Sequence, residues 1–116
     1  MGLDMYFTPI SFDDGMYLRK ASAIHNYIVE THANGIDECQ VIALSRDNLE
    51  ELRNRCTDVL SDRSLAPELL PTTPGFFFGD LEYNDWYFEQ LERFEKECTA
   101  MLGRKDWDYM QYQASW

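Results

Sequence analysis

Alternating apolar and polar side chains predict β-strands at both ends of the chain. Over residues 3–12 (LDMYFTPISF), Leu3, Met5 and Phe7 share one face, and Pro9 marks an edge or bulge because it has no N–H to donate. Residues 13–15 (DDG) then form a turn signal. Residues 107–116 (WDYMQYQASW) alternate in the same way and predict a closing strand. Residues 40–44 (QVIAL) are short and rich in β-branched side chains, which favours a buried strand.

Apolar side chains repeat at spacings of three and four residues in three longer segments, which predicts three helices. The first covers residues 16–32 and ends at Asn34-Gly35. The second covers residues 46–60, with Ser45 as its N-cap. The third and longest covers residues 81–102 and stops at Gly103.

Two segments between these elements have weaker patterns. Residues 61–73 contain Pro67 and Pro71 and predict an ordered surface loop or a single helical turn. Residues 75–79 (GFFFG) place three phenylalanines between glycines and predict a short central strand. The expected order is β-α-β-α-β-α-β, in one α+β domain over residues 1–116. We expect a three- or four-stranded sheet with about three helices on one face. The sequence leaves open whether neighbouring strands run parallel or antiparallel.

Composition restricts the partners of this domain. The chain of 116 residues has 21 Asp and Glu against 10 Lys and Arg, a net charge of −11. Binding to nucleic acid requires clustered Lys and Arg, so direct contact with DNA or RNA is not expected, nor is attachment to an anionic membrane. The aromatic fraction of 15% argues against disorder. No export signal or membrane-spanning run is present in the sequence, which favours a cytoplasmic location.

The negative charge is concentrated in two windows. Residues 71–92 have five acids and no Lys or Arg, a charge of −5, together with a dense group of aromatic side chains. Residues 37–51 have five acids and one Arg, a charge of −4. Spacings of three and four residues predict an acidic ridge on the third helix, formed by Glu82, Asp85, Glu89 and Glu92.

This charge pattern has two interpretations. Such a ridge can simply keep the surface soluble, or it can dock on a basic partner, because carboxylates about one helical turn apart (~5–6 Å) approximate phosphate spacing. Tyr83 and Trp86 lie at the edge of the same helix and are typical of interface anchors. The predicted partner-binding set is Asp80, Glu82, Tyr83, Asp85, Trp86, Glu89, Glu92, Glu50 and Glu51.

Residue types that carry catalysis or bind ligands are few. Arg19, Lys20 and His25 lie close together in the sequence and define a candidate site for a phosphorylated ligand, although His25 also borders the apolar stripe of its helix and could pack there. No catalytic motif accompanies them. Cys39, Cys56 and Cys98 lack the close spacing of a zinc site and are read as three reduced thiols. The sequence therefore predicts no metal and no cofactor.

Several segments together resemble a family of small acidic proteins encoded by bacteriophages and prophages. They are MGLDMY at the start, LRKASAIHNYIV, LLPTTPGFFFGDLEYNDWY, and YMQYQASW at the end. The match includes Arg19, Lys20, His25, Gly75, residues 76–78, Gly79, Tyr83, Asp85, Tyr87 and Trp116. Leu18 replaces a tryptophan of the family pattern, and Ser22 replaces an asparagine. The resemblance implies a phage or mobile-element origin and a role in the cytoplasm of the infected host, and it supplies no catalytic residues.

These observations lead to one principal hypothesis and two alternatives. The principal hypothesis is a non-enzymatic inhibitor of a host nucleic-acid-handling defence complex, of the anti-CRISPR or anti-restriction type, that contacts a basic protein surface. The first alternative is a nucleotide-binding protein or enzyme around Arg19, Lys20 and His25. The second is a virion or assembly component. A homo-oligomer is compatible with each of them.

Overall fold

The computed structural model describes residues 3–9, 15–72 and 82–116, which contain one four-stranded sheet. Its strands are β1 (Asp4–Pro9), β2 (Met16–Arg19), β3 (Ile42–Ser45) and β4 (Tyr109–Ser115). They lie in the order β2-β1-β4-β3, and every neighbouring pair is antiparallel. The predicted α+β class is confirmed.

The helices of the described residues are α1 (Ser22–His32), α2 (Arg46–Ser61), α3 (Ala66–Leu69) and α4 (Asp85–Leu102), with a 3₁₀ turn over Arg63–Leu65. The predicted cap of α2 is confirmed. The Ser45 side chain accepts from the backbone N–H of Asn48, whose own side chain bonds back to the Ser45 N–H. The 3₁₀ turn and α3 fall in segment 61–73, where the second expectation was a helical turn.

The prediction of one helix over residues 16–32 is wrong in its first turn. Residues 16–19 form strand β2, in which Met16 and Leu18 are buried while Tyr17 and Arg19 are exposed. Lys20 then takes a φ of +58°, and its N–H donates to the carbonyl of Leu3 (2.7 Å). Pairing with β1 therefore prevails over the helical spacing, and the left-handed residue separates strand from helix.

One other boundary differs from expectation. The longest helix begins at Asp85 rather than at residue 81, because the Asn84 side chain caps it by accepting from the N–H of Tyr87. The predicted strand over residues 75–79 lies outside the described residues. Along the described chain the element order is β-β-α-β-α-α-α-β, counting no 3₁₀ turn.

The core lies between the inner face of the sheet and the helices. Phe7 of β1 packs its ring 5.6 Å from that of Phe94 of α4 and 4.7 Å from that of Tyr112 of β4. Leu3, Met5 and Phe7 are fully buried, as their shared face predicted. On the opposite face of the sheet the side chains are exposed, and they alternate with the buried ones along β2 and β4. Within the described ranges, no helix has the length and apolar character needed to cross a membrane.

Candidate functional site: an acidic helical face

Helix α4 carries acidic side chains on the side that faces away from the core. Its apolar side chains, from Tyr87 to Met101, are buried, while Asp85, Glu89 and Glu92 are exposed. Trp86, beside them in the first turn, is 47% exposed although it is apolar. The predicted ridge and one predicted aromatic anchor are therefore solvent-accessible.

Helix α2 has its own acidic row, which lines a shallow open groove of about 500 Å³. The lining side chains are Asp47, Glu50, Glu51, Asn54, Arg55, Asp58 and Leu69. The Arg55 guanidinium lies 4.8 Å from the centre of the Tyr27 ring and donates to the Leu69 carbonyl (3.0 Å). The Tyr27 hydroxyl donates to Glu51 (3.2 Å). Arg55 therefore contacts both α1 and α3, and Glu51 is hydrogen-bonded to α1. Asp47 and Asp58 extend the acidic row along α2.

Contacts between α2 and α4 show that the two helices run antiparallel side by side. The Cys98 thiol donates to the Leu49 carbonyl (3.6 Å), near the start of α2 and the end of α4. At the opposite end, the guanidinium of Arg63 lies 4.2 Å from the centre of the Phe88 ring. Because both helices bury their inner stripes against the core, their exposed acids lie on the same outer side of the molecule, where Arg93 and Lys96 of α4 are also exposed. We call this surface, defined by Asp47, Glu50, Asp58, Asp85, Glu89 and Glu92, the acidic face.

The remaining members of the predicted partner-binding set differ in placement. Glu82 is exposed just before α4. Tyr83 is half-buried, with its ring edge-to-face on Tyr87 (5.0 Å) and its hydroxyl accepting from the Thr72 N–H (3.2 Å), so part of its side chain packs against the fold. Glu51 accepts a hydrogen bond from the Tyr27 hydroxyl of α1. Asp80 lies outside the described residues.

The structure does not bring Arg19, Lys20 and His25 together as a site. Arg19 and Lys20 are exposed, and Arg19 approaches the carboxylate of Asp4 at 4.0 Å. His25 is 2% exposed. Its Nδ1 lies 2.6 Å from the Tyr112 hydroxyl, and its Nε2 lies 3.0 Å from both carboxylate oxygens of Asp37. Trp116 Nε1 also donates to Asp37 (3.2 Å).

This buried network has a packing role. A carboxylate only accepts, so Nε2 carries a proton and Nδ1 accepts from the Tyr112 hydroxyl when the imidazole is neutral. Burial raises the pKa of Tyr112 well above its usual value, with the nearby Asp37 carboxylate acting in the same direction. The hydrogen-bonded packing alternative for His25 is therefore confirmed. Sequence spacing missed Asp37, Tyr112 and Trp116, because they join His25 only through the fold.

The thiols are free, and two of them are deeply buried. Cys56 and Cys98 lie between α2 and α4, and burial raises both pKa values, that of Cys98 to about 12. Cys39 is half-buried, with a φ of +59°. Among the residues that the structure describes, no group of three His, Cys, Asp or Glu side chains is placed to hold a metal ion.

Comparisons with known proteins identify no family for this chain. No model of a known protein family matches the chain, and neither the curated proteins nor the solved structures contain a match.

Proposed function

We propose that this chain is a phage-encoded binding protein that inhibits a host nucleic-acid-handling defence complex of the anti-CRISPR or anti-restriction type. In this proposal the acidic face docks on the basic surface that the complex uses to hold nucleic acid. The observation that carries the proposal is the antiparallel packing of α2 and α4, which joins two acidic rows from separate charge windows. The phage origin rests on the resemblance of the sequence.

The spacing of the charges supports this type of partner. With a rise of about 1.5 Å per residue, Glu89 lies ~6 Å along α4 from Asp85, and Asp58 lies ~16 Å along α2 from Asp47. Packed helices are about 8–10 Å apart, so the face presents two neighbouring rows of three carboxylates each. A groove lined with Lys and Arg that normally binds phosphates would meet carboxylates there, at a lower charge density than the one charge per about 1.7 Å of duplex DNA.

One hydrophobic side chain complements the charges. Trp86 is exposed at the start of α4, beside Asp85. Tryptophan is enriched among the side chains that dominate the energy of protein interfaces, whereas peripheral charges mainly set association rate and specificity. We therefore expect Trp86 to contribute to affinity and the carboxylates to contribute to salt-dependent recognition.

The test measures inhibition of purified defence nucleases, both CRISPR effectors and restriction enzymes, by the full chain. A variant with Glu89→Lys and Glu92→Lys should bind the inhibited nuclease at least tenfold more weakly, since the substitutions replace attraction with repulsion. Binding by the wild-type chain should also weaken between 50 and 300 mM NaCl. Asp85 is left unchanged because its charge stabilises the first turn of α4.

A second variant with the same change in net charge is the control. Glu30 and Glu38 are exposed on α1 and the loop after it, and neither belongs to the acidic face. Glu30→Lys with Glu38→Lys should retain inhibition. An equal loss of inhibition in both variants would mean that net charge, rather than the acidic face, causes the effect. A chain that inhibits none of the nucleases would overturn the proposal.

A further inference from the structure

The exposed face of the sheet, which points away from the core, differs from the rest of this acidic molecule because its positive and negative side chains cancel in charge. Among the outward side chains of the four strands, Asp4 and Arg19 are the charged ones, and they are cross-strand partners. The face instead displays three tyrosines, Tyr6, Tyr17 and Tyr109, which are 48%, 38% and 51% exposed. A chain with a net charge of −11 therefore has one broad surface without net charge.

Two of these tyrosines, Tyr6 and Tyr17, are held in place by their neighbours. Tyr6 and Tyr17 are directly opposite on β1 and β2, with ring centres 5.2 Å apart. The Tyr17 hydroxyl donates to the Asp4 carboxylate (2.6 Å). Uncharged cores with ordered tyrosines are typical of protein interfaces, because aromatic side chains bury a large area at a small entropic cost.

We infer that this sheet face binds a second copy of the chain, forming a symmetric dimer with the two sheets face to face. The distribution of charge favours a second copy of the chain as the partner of this face. Contact between two copies through the acidic face would bring like charges together, whereas contact through the sheet brings together two neutral surfaces. The shortest extent of the chain is 23 Å. Stacked sheets would therefore keep the two acidic faces separated by several times the Debye length of ~8 Å at physiological salt.

The size of the face indicates a weak dimer. The two central strands are six and seven residues long and the two outer strands four, so with strands about 4.8 Å apart the surface covers roughly 330 Å². This area is below the ~800 Å² per partner of a standard stable interface, so we expect the dimer to be weak. Such a dimer would direct both acidic faces outward. The inference does not depend on the proposed function.

Sedimentation equilibrium of the full chain from 1 µM to 1 mM tests the inference. The decisive position is Gln111, exposed on the central strand β4 opposite Thr8. Gln111→Glu and Gln111→Lys should each weaken the dimer at least tenfold, because like charges then meet near its centre. An equimolar mixture of the two variants should associate again, a rescue that only contact between two copies produces.

The effect of salt distinguishes binding through the sheet face from binding through the acidic face. Raising NaCl from 50 to 500 mM should strengthen the dimer, because it screens the residual repulsion between two chains of charge −11. The Glu89→Lys and Glu92→Lys variant should not weaken the dimer, although it should lose nuclease binding. A wild-type chain that stays monomeric at 1 mM, or a Gln111→Glu variant that dimerises normally, would overturn the inference.

Discussion

Replacing Arg46 with alanine should destabilise the fold far more than its place at a helix start implies. Its guanidinium donates to the carbonyl of Arg104 (2.8 Å), to that of Trp107 (3.2 Å) and to that of Leu102. It also lies 4.6 Å from the centre of the Trp107 ring. One side chain of α2 thereby satisfies the C-terminal end of α4 and fixes the path into β4.

The magnitude follows from these contacts. A hydrogen bond from a charged donor contributes about 1.5–3 kcal/mol, and a cation–π contact about 0.5–2 kcal/mol. Arg46 is only half-buried, so water can reach part of the site and replace some of these bonds. We therefore expect Arg46→Ala to lower the free energy of unfolding by about 2–4 kcal/mol. For a chain of this length, that corresponds to a fall in Tm of roughly 8–16 °C.

Urea denaturation followed by circular dichroism, with Tm from calorimetry, measures the effect. Arg46→Lys should recover at most half of the loss, because an ammonium group cannot reproduce the planar, forked donors of arginine. Arg53→Ala is the matched control on the same helix, since Arg53 reaches across to α4 through a long, exposed 3.4 Å bond to Thr99. A loss below about 0.5 kcal/mol for Arg46→Ala, or equal losses at both positions, would refute the reasoning.

Three further predictions concern the buried polar groups. Tyr112→Phe should lower the free energy of unfolding by about 1–3 kcal/mol, because His25 Nδ1 loses its buried partner; chemical denaturation measures this. Stability of the wild-type chain should fall as pH rises above about 10, since the raised pKa of Tyr112 keeps its phenol protonated in the folded state alone. A thiol reagent should label one cysteine rapidly under native conditions, Cys39, before the two buried thiols, Cys56 and Cys98.

Each of these predictions has a contradicting result. A Tyr112→Phe variant as stable as the wild type would mean that the hydroxyl contributes nothing to folding. The same variant should also show a smaller loss of stability above pH 10, and an unchanged slope would assign the alkaline effect to other groups. Labelling of Cys56 or Cys98 as fast as Cys39 would contradict their burial between the helices, whereas all three should react rapidly in denaturant.

The acidic face was partly predictable from the sequence. Acids three and four residues apart fall on one side of a helix whatever that helix packs against, so Asp85, Glu89 and Glu92 were placed correctly as an exposed ridge. Asp58 has the same helical phase as Asp47 but lies outside the charge window that drew attention to Glu50 and Glu51. That the α2 and α4 rows adjoin depends on antiparallel helix packing, which no local spacing encodes.

Strand β2 shows the limit of periodicity for short segments. Residues 16–19 fit both a two-residue and a helical repeat, and the continuous apolar spacing into α1 favoured the helix. The choice depends on pairing with β1, a contact between two separate segments of the chain. At Gly15, a Cβ would lie 2.0 Å from the Phe7 carbonyl oxygen, so the close approach of the two strands requires glycine there.

The sequence by itself determined the secondary structure of the long periodic segments, the apolar faces and the location of the negative charge, because each depends on neighbours within about four residues. The tertiary structure alone decided the roles of His25 and Arg46. One is a buried link to Tyr112 and Asp37, and the other secures the end of a helix more than fifty residues away. Both roles require partners distant along the chain, and only the packing of the sheet and helices brings those partners within hydrogen-bonding distance.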